Sequence, residues 1–160
     1  MRLSLWLFGI ILFFSCNNQG PSKGHTPEDT IWTEPDVSPD SKLIWISGYD
    51  TVKNEFYLKK QRTVNADTLI AGNVISDINA AWENIQLVFR KVSHDTLYVA
   101  IPASDFLTRQ MGSAGSEAYM ASVTYSLTEL KGIHFVNYDF EEGDHVSPGT
   151  YSRKDYEDFR

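Results

Sequence analysis

Hydrophobic positions along the chain fall into three regimes. Between Leu3 and Phe14 they run almost without a break, from Asn17 to Ser41 they nearly vanish, and from Lys42 onward they alternate or recur at helical spacing. The last regime predicts the folded part. Residues 43–47 are a short run of β-formers closed by Gly48, and residues 55–64 place Phe56 and Leu58 against Glu55, Tyr57 and Lys59; both read as strands. Residues 67–82 carry Leu69, Ile70, Val74, Ile78, Ala81 and Trp82 at helical spacing, with Asp67 as the expected N-cap. Residues 85–92 alternate again and 96–101 are β-rich. The Ser93-His94-Asp95 turn joins them into a hairpin that Pro102 ends.

Residues 113–132 fit two periods. Val123, Tyr125 and Leu127 alternate like a strand, whereas Tyr119, Met120, Val123, Leu127 and Leu130 form a longer helical stripe. Length decides for a helix, with Ser113 and Ser116 as expected caps and Gly132 as its left-handed terminator. Residues 133–140 read as a last strand. The order β-β-α-β-β-α-β predicts an α+β sandwich of hairpins and antiparallel neighbours, with helices on one face. The expected domain spans 42–145, and residues 146–160 read as a polar C-terminal tail with Tyr151, Tyr156 and Phe159 as its candidate docking residues.

The first regime reads as an export signal. Arg2 precedes an apolar run of about 18 Å as a helix, too short for a hydrocarbon core of roughly 30 Å. Ser15-Cys16 then resembles the processing site of a bacterial lipoprotein. The expectation is a signal peptide over 1–15 and a lipidated Cys16 carrying palmitate, with acyl chains supplying about 0.8 kcal/mol per buried CH₂. Residues 16–41 form the lipidated cysteine and a tether rich in Pro, Gly and acids, in which Ile31 and Trp32 either dock on the domain or stay exposed. No acidic run follows Cys16, which points to a membrane-anchored, periplasm-facing chain.

Charge narrows the partners. The chain has 14 Lys and Arg against 21 Asp and Glu, a net of −7. Nucleic acid requires a basic footprint and is excluded, and anionic headgroups would repel the chain, so membrane attachment rests on lipid. With Cys16 the only cysteine, no internal disulfide forms.

The second half carries a resemblance. The run from Asp95 through Leu107, then Gly112-Ser-Ala-Gly-Ser-Glu117, then Ser126-Leu-Thr-Glu-Leu-Lys-Gly-Ile133 and Val136, with Gly143 beyond, is similar to the spore-germination and sporulation GerMN-type domain. The similarity spans about residues 43–145. It implies a non-enzymatic extracytoplasmic domain like the ring-building modules of envelope assemblies, often lipid-anchored, without a catalytic set. The pattern residues have structural readings. Gly112 and Gly115 permit the bend into the helix, Thr128 bonds back to the preceding turn, and Gly132 takes the left-handed cap.

Candidate chemistry is sparse. Gly112-Ser-Ala-Gly-Ser116 has Ala114 where a nucleophile elbow needs serine. His94 beside Asp95, and His145 beside Asp144, are the positions to test for a base. Asp139, Glu141, Glu142, Asp144 and His145 are oxygen-rich but lack calcium-loop spacing, so a solvated acidic loop is expected, with no metal or cofactor. Trp32, Trp45, Trp82, Tyr138, Tyr151 and Tyr156 could stack on a sugar, although Trp45 and Trp82 fit core stripes. The expectation is a non-catalytic, lipid-anchored domain in envelope assembly or scaffolding, with a protein partner or self-association. The alternative is a glycan- or peptidoglycan-binding lipoprotein.

Overall fold

The computed structural model describes residues 42–159, so the signal, Cys16 and the tether lie outside the described residues. The domain is a mixed α+β structure with two sheets. Strands β1 (Trp45–Asp50) and β2 (Glu55–Lys60) form an antiparallel hairpin. β1 continues through Gly48 because the ring of its cross-strand partner Tyr57 covers the glycine where a side chain would stand. Helix α1 (Ala71–Ala81) follows. It starts four residues after Asp67, which is not the N-cap: Asn65 Oδ1 accepts the Asp67 N–H at 3.0 Å and holds this stretch in a turn. Ile70 stands at the extended cap position without a capping bond.

Strands β3 (Val88–Ser93) and β4 (Thr96–Ala100) form the expected hairpin, with His94 in the left-handed conformation at φ 56°. A π turn over Phe106–Gln110, unexpected from the sequence, leads into helix α2 (Gly112–Leu127). Strand β5 (Phe135–Asp139) then returns parallel to β4, with Leu97 opposite Val136 and Val99 opposite Tyr138. The sheet is therefore not wholly antiparallel: β4, α2 and β5 make a crossover unit, the connection that parallel neighbours require.

The stretch read as a polar tail is part of the sheet. Strand β6 (Gly149–Tyr151) pairs antiparallel with β5, giving the order β3-β4-β5-β6. A 3₁₀ turn over Arg153–Tyr156 follows, fixed by a capping box between Ser152 and Asp155. It seats Tyr156 in the core at 5% exposure.

Helix α2 lies between the hairpin and the four-stranded sheet, bonded to β1 on one side and to β5 on the other. On one side Ser47 Oγ donates to the Ala118 carbonyl and Ser122 Oγ to the Trp45 carbonyl, each at 2.7 Å. The small residues Ala118 and Ser122, one turn apart, let the strand backbone approach the helix closely enough for these bonds. On the other side Thr124 Oγ1 meets the Tyr138 hydroxyl at 2.9 Å, and Tyr119 packs edge-on to Trp82. A helix buried on both sides needs no single apolar stripe, which is why serines and threonines occupy its interior. Its end departs from the expected Gly132. The Thr128 hydroxyl donates to the Thr124 carbonyl at 2.8 Å, and the next two amides bond three residues back. Gly132, at φ 76°, belongs to the turn after the helix.

Candidate functional site

β3 is an edge strand with an unusual surface. Directly opposed residues of an antiparallel pair share a face, so Phe89 and Val92, opposite Val99 and Leu97, point to the core side. Yet Phe89 is 47% and Val92 48% exposed, and among the described residues no strand extends the sheet beyond β3. Val88 is a further exposed apolar residue. Between them Phe89 and Lys91 flank a register shift that leaves Arg90 as an added residue, and both cations are exposed. Lys91 Nζ lies 4.6 Å from the centre of the Tyr98 ring on the outer face. Just before the strand, Asn79 of α1 accepts the Leu87 N–H at 2.8 Å and donates to its carbonyl at 2.9 Å. This clamp satisfies Leu87 and fixes where the free edge begins.

The residues singled out for chemistry are distributed differently. Ser113 and Ser116 do not cap α2. Ser116 is buried and donates to the Leu107 and Gly112 carbonyls, the former left over by the π turn. Gly112, at φ 71°, makes the bend between the π turn and α2, and Gly115 is buried inside the helix. Ser113 is exposed, and its Oγ lies 3.2 Å from His145 Nδ1, a contact with no sequence signal because 32 positions separate the two. A nucleophile–base pair also needs an orienting acid; among the described residues no carboxylate hydrogen-bonds His145. The other candidate base, His94, contacts Ser93 Oγ at 3.2 Å in an exposed turn. His134 stands just before β5, its amide donating to the Asp95 carbonyl.

The acidic loop is spoken for locally. Arg109 binds Glu141 at 3.1 Å and Asp105 at 2.9 Å, and the Ser147 hydroxyl donates to Glu142. Its bonds with Asp105 and Glu141 raise the Arg109 guanidinium further, and those from Arg109 and Gln110 hold Asp105 below the usual carboxylate range. Among the described residues no group of three or more His, Cys, Asp or Glu is arranged to hold a metal.

Trp32 lies outside the described residues, and the other five aromatic candidates do not make an outer platform. Trp82 and Tyr156 are buried, Tyr138 is 1% exposed, and Tyr151 is half-buried and stacked against Tyr156 at 6.3 Å. Burial pushes the Tyr119, Tyr138 and Tyr156 phenols up. Trp45 instead anchors a polar knot missed by sequence reasoning. Its Nε1 donates to Glu129 at 2.9 Å, Lys60 Nζ reaches the same carboxylate at 2.9 Å, and Arg153 Nη2 at 2.8 Å. Arg153 also donates to Thr128 Oγ1 and lies over the Tyr125 ring. Burial of Glu129 opposes ionisation, but the bonds from Lys60, Trp45 and Arg153 together keep its carboxyl below the ordinary range. This knot joins the hairpin, the end of α2 and the C-terminal turn, so Thr128 and Glu129 serve the fold.

No described helix is long and apolar enough to cross a membrane. Compared in turn with protein-family models, curated proteins and solved structures, the chain matches none.

Proposed function

We propose that the chain is a lipid-anchored, extracytoplasmic, non-catalytic domain that acts in envelope assembly or scaffolding, and that β3 is the surface it uses. The observation that carries this reading is the free edge of β3, where Phe89 and Val92 stand half-exposed on the core side of a sheet that stops one strand short of covering them. An added strand would satisfy the outward amides and carbonyls and bury both side chains, the mode by which sheet edges recruit extended partners. The export signal and Cys16 support a location at the membrane, and the likeness of residues 95–136 to GerMN-type domains supports a ring-building role within the same proposal.

Two substitutions test it. Cys16→Ser should move the chain from the membrane to the soluble fraction. Phe89→Asp, at a half-exposed position, should lower the melting midpoint by the loss of a half-buried ring but leave the domain folded, and should reduce the anchored chain on a native gel from an assembled band to the free species. A chain that stays membrane-bound after Cys16→Ser, or keeps its assembled band after Phe89→Asp, overturns the corresponding half of the proposal.

A further inference from the structure

A groove of about 500 Å³ lies where the end of α2, the start of β5 and the C-terminal 3₁₀ turn meet. That volume is in the range of small-molecule sites, roughly 300–1,000 Å³. Ile133 and Phe135 supply an apolar wall, the first buried and the second 39% exposed. Both sides of the groove are held in place. On one side the Asp95 carbonyl accepts the His134 and Phe135 amides, at 2.8 and 3.1 Å. On the other the Ser152–Asp155 capping box fixes the turn that carries Arg153 and Lys154. A ligand therefore meets a formed groove and loses little affinity to ordering it.

The polar groups of the groove select an anion. His134, Arg153 and Lys154 line it and no Asp or Glu does, in a chain of net charge −7. The two acids next to it in sequence are committed elsewhere, Asp155 to Ser152 and Glu129 to Trp45, Lys60 and Arg153. Lys154 and His134 are exposed, and among the described residues neither the ammonium nor the imidazole ring has a partner. Arg153 uses Nε on Thr128 and Nη2 on Tyr125 and Glu129, and makes no bond through Nη1 among the described residues.

The same lining disfavours a neutral sugar, which needs several free hydroxyls or amides around it. The Thr128 hydroxyl donates to the Thr124 carbonyl and accepts from Arg153, and the Ser152 hydroxyl is held by Asp155 and the Lys154 amide. What remains is an apolar wall beside unpartnered cationic donors. An ionised carboxylate takes charge-assisted bonds from such donors, and a hydrocarbon chain gains by leaving water for such a wall.

We propose that this groove binds a soluble fatty carboxylate, its chain against Ile133 and Phe135 and its head group on Lys154, Arg153 Nη1 and the His134 ring. The site is separate from the edge of β3 and does not depend on it.

Calorimetric titration of the full chain in nanodiscs of zwitterionic lipid, with the heat of empty nanodiscs subtracted, tests the site with octanoate as the probe. Binding should saturate at one octanoate per chain. Octanol keeps the hydrocarbon and lacks the charge, and acetate keeps the charge and lacks the hydrocarbon. Each should bind at least about tenfold more weakly, the ratio for about 1.4 kcal/mol. Lys154→Glu, at an exposed residue without a partner, and Phe135→Ser should each weaken octanoate to a similar degree in a chain that still melts cooperatively. Octanoate bound equally by the wild type and both folded variants overturns the site. Octanol or acetate bound as tightly as octanoate overturns it too, since the groove would then read only an apolar body or only an ion. A last arm mixes the Cys16→Ser chain with vesicles rich in anionic lipid. The chain should stay in the supernatant; sedimentation that Lys154→Glu abolishes overturns the free carboxylate in favour of a membrane headgroup.

Discussion

Replacing Glu129 by glutamine probes the knot that ties three parts of the fold together. The carboxylate is 13% exposed and accepts from Trp45, Lys60 and Arg153. Bonds to a charged acceptor contribute about 1.5–3 kcal/mol each and neutral ones about 0.5–1.5. Glutamine keeps the oxygen shared by Trp45 and Arg153 but removes its charge, a loss of about 1 kcal/mol for each bond. Its amide group then faces the Lys60 ammonium, whose side chain is 35% exposed and turns into water; that pair is worth about 0.5–1 kcal/mol. The sum is about 2.5–3 kcal/mol at neutral pH, a fall in melting temperature on the order of 10 °C for a domain of this size. The effect has a pH signature. Because the folded carboxyl lies below its ordinary value of 4.5, its contribution is present above that value and lost as pH falls through the folded one. The gap between wild type and Glu129→Gln should therefore be full at pH 7 and narrow on acidification below the ordinary carboxyl range. Thermal or urea unfolding followed by circular dichroism across that range measures it. A gap under about 0.5 kcal/mol at pH 7, the size of an ordinary surface substitution, or one that does not narrow in acid, would refute the reasoning.

Other outcomes follow from local geometry and are read by the same melts. Leu127, fully buried on α2, should cost about 2–5 kcal/mol when cut to alanine. A Cβ at Gly143 would stand 2.6 Å from Thr108 Cβ and 2.8 Å from its carbonyl oxygen, so Gly143→Ala should destabilise by about 1–3 kcal/mol. Gly72, in α1 with open space around it, should behave oppositely, Gly72→Ala gaining about 0.5–1 kcal/mol. His94→Val should cost about 1–2 kcal/mol because it must adopt a left-handed backbone, while His94→Gly should not.

The parts of the fold that could be read from the chain are those whose signal is local. Phe56 against Glu55 marks β2, the spacing of Val74 and Ile78 marks α1, and the β-rich runs around His94 mark a hairpin. The misreadings come from contacts made at a distance. α2 was ambiguous because it is buried on both sides, so serines that pin β1 sit where a surface helix would be polar. The parallel pairing of β4 with β5 depends on where α2 packs, which spacing does not state. β6 is not legible because three residues, Gly149-Thr-Tyr, carry no period; Tyr156 reads both as a docking residue and as a sugar platform because its neighbours Asp155, Glu157 and Asp158 are charged, and its burial decides for docking. Of the candidate site, the apolar and basic composition of residues 88–92 was visible in the sequence, but its exposure was not: the same residues in a central strand would be covered.

The most direct test of β3 as the docking surface is a photocrosslinking amino acid placed at position 92 of the anchored chain in intact cells. Position 52, at the hairpin tip and 93% exposed, is the control. The account predicts a discrete intermolecular adduct from position 92 and none from position 52. Adducts absent at 92, or equal at 92 and 52, would contradict it.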